Sequence, residues 1–282
     1  MPRANSKLKN NDQDVCCQVM RSMALKKFAR RWWFVILFCV VYLLMPKSVP
    51  NRLPGSDMGQ HVATVTVQGA VEGMTDSWYR QLELVANSPK VTGLILIIDS
   101  PGGVVSIADA GYSLLKRIHA KVPVVTVIGN TAASAGYLLA STGDIIFARE
   151  TSIVGSIGVL LEIPVFKQLL ENIGVEYRNV GVGHNLDAVP FQGLNEFTNK
   201  YLELAGNDSY RWFRNVVQYE RRLSDQALKK VIGGKIFLGH EALSLGLVDA
   251  IGDTSAAFSW LIKQDSTINQ STNVVDYAKF VS

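Results

Sequence analysis

Cysteine is scarce in this chain and missing from its body. The 282 residues hold three, Cys16, Cys17 and Cys39, all ahead of the globular part, so no disulfide framework holds the fold together. Histidine is almost as sparse. His61, His119, His184 and His240 are scattered, with no His-x-x-x-His pair to suggest a metal site. There is no Gly-x-x-x-x-Gly-Lys loop, and Gly102-Gly103 alone is too short for a dinucleotide fingerprint. No cofactor is therefore expected. Internal repeats of about 20–50 residues and low-complexity tracts are also missing. Finally, the body lacks a basic face. The net charge is +4, but residues 1–31 carry +6 and the rest carries −2. The positive charge is a tail, not a nucleic-acid-binding surface.

Long apolar runs are short of what a standard membrane span needs. Residues 32–45 read WWFVILFCVVYLLM, without a charge, whereas a full span takes roughly 17–25 residues. Lys26, Lys27, Arg30 and Arg31 precede the run and Pro46-Lys47 end it. An uncleaved anchor can be this short if Trp32 and Trp33 lie at the interface and the flanking cations snorkel. A cleaved signal is the alternative, although no small-x-small site follows Met45. The anchor reading puts residues 1–31 in the cytoplasm as a basic tail. It places the chain once through the inner (cytoplasmic) membrane, with the folded domain on the outer, periplasmic side.

Residues 46–60 are rich in proline and read as a linker. A single domain is expected over residues 61–255, followed by a C-terminal extension over 256–282. Apolar strand candidates at 62–67, 94–99, 122–128, 145–148 and 175–180 alternate with helical patterns at 76–87, 107–119, 134–140, 163–173 and 195–222. Continuous apolar strands separated by helices predict an α/β fold with a mainly parallel sheet covered on both faces. Active sites in such sheets gather at the carboxyl ends of strands. In the last helix, Tyr201, Leu202, Leu204, Tyr210, Trp212, Phe213, Val216 and Val217 read as a core-facing stripe.

Two strand ends carry chemistry. In Ile98-Asp99-Ser100-Pro101-Gly102-Gly103 a buried strand stops at a turn whose glycines let backbone amides approach a ligand. In Asn130-Thr131-Ala132-Ala133-Ser134-Ala135-Gly136-Tyr137 small residues surround one serine at a helix start. A helix N-terminus favours an alkoxide and a developing oxyanion. An isolated Ala-Ala-Ser at such a place is ordinarily only an N-cap.

The combination is more specific. IDSPGG, then TAASAGYLLASTGDIIFA, then TSIVGSIGV, and finally GGKIFLGHEALSLGLVDAIGD over 233–253 resemble the signal peptide peptidase A family of serine-lysine peptidases. The resemblance runs from about Val62 to Asp253. It implies a crotonase/ClpP-like spiral α/β fold, homo-oligomeric rings on the outer membrane face, and cleavage of extended peptides such as released signal peptides. It also implies Ser134 as nucleophile, the amides of Gly102 or Gly103 and of Ala135 as oxyanion hole, and Ser156 as the residue orienting the base. Without the resemblance, Ser156 reads as turn chemistry in a glycine-rich loop. The same fold hosts acyl-CoA enzymes, so fold alone does not decide the reaction.

At one point the pattern breaks. The family's lysine base falls within Val180-Gly181-Val182-Gly183-His184-Asn185-Leu186-Asp187-Ala188-Val189-Pro190-Phe191. Counting forward puts His184 at its position and counting back puts Asn185 there. No lysine occurs from Gln168 to Asn199. A serine hydroxyl needs a base, which leaves three expectations. His184 serves as base, its ordinary pKa lying near 6.5. Alternatively Lys167, Lys200 or a neighbouring subunit supplies the amine. Otherwise the chain is a catalytically inactive, peptide-binding relative.

Overall fold

The computed structural model describes residues 59–74, 76–178, 191 and 193–281. The basic tail, the expected anchor, most of the linker, and both His184 and Asn185 lie outside the described residues. Among the described residues, no helix is long and apolar enough to cross a membrane.

Three long strands, β1 (His61–Gln68), β2 (Val91–Ser100) and β3 (Val124–Ala133), form the centre. Between them run α1 (Ser77–Asn87) and α2 (Val105–His119). Both pairings are parallel. Alternate residues of β2 go to opposite faces, as a pleat requires. Leu94, Leu96 and Ile98 join one apolar cluster with Leu82, Leu114 and Leu115 of the helices. Ile95 and Ile97 face a second cluster on the other side. Burial on both faces is why the strand is a continuous apolar run.

The short helix α3 (Ala135–Ala140) leaves the end of β3 and packs against β2 and β3, all of its residues buried. Then β4 (Ile145–Ala148) and β5 (Ile153–Gly155) both return to β3. Val125–Val127 pair with β4, whereas Thr131–Ala133 pair with β5. One strand thus serves two neighbours in succession. The change coincides with a register break, because Ile98 pairs with Ile128 but Ser100 pairs with Ala132. Asp99 fills the break, accepting from Asn130 Nδ2 at 2.7 Å and from the Thr131 amide at 3.1 Å.

Beyond these lie α4 (Lys167–Asn172), α5 (Glu196–Glu220), α6 (Asp225–Val231), β6 (Ile236–Leu238), α7 (Gly239–Ser244) and β7 (Ala250–Ile251). Strand β6 adds antiparallel to β5, and β7 adds parallel to β4. The C-terminal half of α5 is bound to the body. Tyr112 donates to Glu220 Oε1 at 2.7 Å, Lys116 donates to Oε2 at 3.1 Å, and Arg221 Nη2 meets Asp249 Oδ1 at 2.6 Å. Burial, and then the bond to Glu220, hold the Tyr112 hydroxyl above the usual phenol range.

Three expectations need adjusting. The stripe on α5 faces the core only in its second half, where Phe213, Val216 and Val217 are buried, while Tyr201 is 62% exposed. The first half runs over cavities, where apolar residues line a groove instead of a core. Residues 175–178, expected in a strand, have no regular structure. The chain beyond residue 255, expected as an extension, completes the domain. There α8 (Thr254–Gln264) buries Ala257 and Leu261 in the second cluster, and β8 (Asn273–Asp276) adds parallel to β1.

After β8, Tyr277 is fully buried, stacked on the buried His61. His61 Nδ1 donates to the Gly59 carbonyl at 2.9 Å, so Nε2 accepts from the Tyr277 hydroxyl at 3.1 Å. Tyr277→Ala is expected to cost about 3–5 kcal/mol in urea denaturation. Tyr277→Phe should cost about 1–3 kcal/mol, because a buried ring nitrogen loses its donor. A loss below about 1 kcal/mol for the alanine variant would mean that β8 is not part of the cooperative unit.

Candidate active site

The end of β2 and the end of β3 lie side by side. Past Ser100 the chain turns through Gly102, at φ +116°, and Gly103, at φ +155°. A β-carbon on Gly102 would sit 2.7 Å from Ser134 Cβ, and one on Gly103 would sit 2.2 Å from the Val71 carbonyl oxygen. Only glycine fits this left-handed, crowded path. Val71 brackets the turn, donating to the Gly102 carbonyl and accepting from the Val104 amide, both at 2.8 Å. The Gly102 amide donates to the buried Ser100 Oγ at 3.2 Å. The Gly103 amide meets no acceptor among the described residues.

Ser134 joins β3 to α3 at φ 50° and ψ −123°, a region that L residues seldom occupy. Its hydroxyl does not cap α3, which removes the ordinary explanation for a serine at a helix start. Its amide donates to the Gly155 carbonyl at 2.9 Å, fixing the turn to the end of β5. The next amide, that of Ala135, has no acceptor among the described residues and belongs to the unpaired first turn of α3. The ideal β-carbon position on Gly102 is 3.2 Å from Ala135 N, so the Gly102-Gly103 turn and this amide border the same space.

Ser156 repeats the backbone strain, with φ 52°. Its amide donates to the Lys235 carbonyl at 2.6 Å. Because Gly155 holds Ser134, the two serines are separated by one peptide unit and one hydrogen bond. Both are half-buried, and both line a cavity of about 580 Å³ with Gly158, Val159, Leu160, Tyr210, Gly233 and Gly234. No side-chain partner occupies either hydroxyl among the described residues. Ser134 thus offers a free hydroxyl to the cavity, with the unpaired Ala135 amide next in the chain and the Gly102-Gly103 turn alongside.

Tyr210 is the one titratable side chain among the described residues that line this cavity. Lys167 and Lys200 are exposed and do not line it. No group of three potential metal ligands occurs among the described residues. Sequence reasoning missed Ser100 and Tyr210. Ser100 carries a faint signal, a small polar residue closing a buried strand before Pro-Gly-Gly. Tyr210 carries none, because it falls on the apolar face of a helix and reads as core.

Several known proteins are similar to this chain. The family model for peptidase family S49 matches residues 116–268, and the Clp protease model matches residues 59–153. A Synechocystis sp. protein provisionally named a protease is 34% identical over 71% of this chain and 72% of its own length. An Enterococcus faecium protein provisionally named signal peptide peptidase SppA is 33% identical over 70% of this chain and 57% of its own. Protease 4 of Haemophilus influenzae is 28% identical over 82% of this chain and 39% of its own. The chain therefore spans well under two thirds of some of the relatives it matches.

The backbone at Ser134 predicts a stability signature. A non-glycine residue in such a region costs of the order of 1–3 kcal/mol. Ser134→Gly should therefore be about 1–2 kcal/mol more stable than Ser134→Ala in urea denaturation, against glycine's usual deficit. Equal stabilities would show that the turn stores no strain.

Proposed function

The chain belongs to peptidase family S49, and from that membership we propose that it is a membrane-anchored serine endopeptidase whose nucleophile is Ser134. The observation that carries this reading is the free Ser134 hydroxyl, held in a strained turn at a cavity, next to the unpaired amides of Gly103 and Ala135. Ser134 Oγ attacks the scissile carbonyl and the base removes its proton. The oxyanion is held by the two amides. Collapse of the intermediate breaks the C–N bond, the proton passes to the leaving amine, and an acyl ester remains on Ser134 until water hydrolyses it. Ser156, beside Ser134, orients the base. His184 is assigned as that base, since an imidazole suits proton transfer near neutral pH.

Substrates are extended peptides, released signal peptides among them. The run 32–45 anchors the chain once in the inner membrane, with the peptidase domain on the outer side. Copies assemble as a homo-oligomeric ring. Supporting the ring are exposed apolar side chains along one stretch of the chain, including Leu160 at 78%, Leu169 at 57% and Ile173 at 63%, which an interface would cover.

One observation favours a second reading, a binding module that holds peptides without cutting them. Among the described residues, the cavity has no lysine or histidine in its lining.

A fluorophosphonate probe separates the two. Wild type in washed membranes should label and Ser134→Ala should not. His184→Ala should label about 10²–10⁴-fold more slowly. Equal labelling of the His184 variant would remove that residue from the mechanism. Peptide turnover no higher than that of Ser134→Ala would leave the binding reading. Loss of the protein from membranes on alkaline carbonate extraction would count against the anchor.

A further inference from the structure

A second hollow opens beside the first. It has a volume of about 740 Å³ and lies between the start of α2, the segment after Ile157 and the first half of α5. It shares Val159 and Leu160 with the Ser134 cavity and reaches Gly103. A peptide with its carbonyl at Ser134 would therefore place a neighbouring side chain in this groove. The walls are largely apolar, with Val104, Leu161, Leu202 and Trp212 among them, and Ala205 and Gly206 keep the space open.

The groove's charge is one-sided. Glu72 and Asp109 both line it, and among the described residues no lysine, arginine or histidine does. Both carboxylates are exposed, and among the described residues neither has a cationic partner. Glu72 directly follows Val71, the residue that brackets the Gly102-Gly103 turn. Asp109 lies on α2 near Tyr112. A wholly apolar substrate side chain would satisfy the walls and ignore the carboxylates. An acidic one would be repelled. No group of three potential metal ligands occurs here among the described residues.

We propose that this groove selects a lysine or arginine side chain of the peptide, its methylene stem against Val104, Leu202 and Trp212 and its cationic head between Glu72 and Asp109. The assignment rests on the peptidase reading of Ser134. The stem gains burial while the head stays hydrated, as long basic side chains do. The face of Trp212 adds attraction for the cation.

Binding tests this independently of turnover. The full-length Ser134→Ala protein in detergent is titrated with fluorescent peptides that differ only at one residue, lysine, norleucine or glutamate, scanned across the positions flanking the scissile bond. At one position lysine should bind roughly three- to ten-fold tighter than norleucine, which has the same unbranched stem without the charge. Glutamate should bind weakest, and the lysine advantage should shrink as salt rises. In Glu72→Gln/Asp109→Asn the lysine-to-norleucine ratio should fall towards one, and in Glu72→Lys/Asp109→Lys glutamate should become the favoured residue. A flat ratio at every position, no measurable peptide binding, or a preference that survives both double variants would overturn the assignment. Lysine-selective binding without Ser134-dependent hydrolysis in wild type would instead retain the groove and reject the catalytic reading.

Discussion

The hydrogen bond from the Ser134 amide to the Gly155 carbonyl is the constraint on which the site depends. It ties the last residue before α3 to the end of β5, so the chain cannot relax out of its positive-φ turn without breaking a sheet contact. The turn exists because β3 is shared. Its first part pairs with β4 and its last part with β5, and Asp99 fills the register break where the partnership changes. Past Ala133, the last residue paired with β5, the chain brings Ser134 to the lining of a cavity.

The glycine turn after β2 answers that geometry from the other side. With Gly102 engaged by Ser100, the Gly103 amide is left without an acceptor among the described residues. This division of labour is electrostatic. One amide holds the loop's shape, while the next and that of Ala135 are left without acceptors among the described residues. Because those donors are backbone groups on packed elements, they need no reorganisation when a carbonyl arrives. Beside the Ser134 cavity lies an apolar groove lined by two carboxylates, those of Glu72 and Asp109.

Much of this was legible before any coordinates. The buried strands 62–67 and 94–99 announce themselves as unbroken apolar runs because both faces are covered. The Pro-Gly-Gly turn and the serine among small residues are local signals, and their order along the chain is distinctive. What escaped notice was non-local. Strand β8 is four residues long and pairs with a strand more than two hundred positions earlier, and nothing in its neighbours marks it as sheet. Tyr210 looked like core because an apolar helical face reads alike whether it covers a domain interior or a groove.

The sequence by itself determined most of the strand and helix types, the mainly parallel α/β architecture and the family. These follow from short-range periodicity and from motifs whose spacing the backbone enforces. The tertiary structure decided what those residues face. It showed Ser134 uncapped at a cavity, Gly103 rather than Gly102 with the free amide, the C-terminal strand inside the fold, and Glu72 and Asp109 on one groove. Each of these depends on which distant segments meet, and that is fixed by packing of the whole chain, not by any stretch of it.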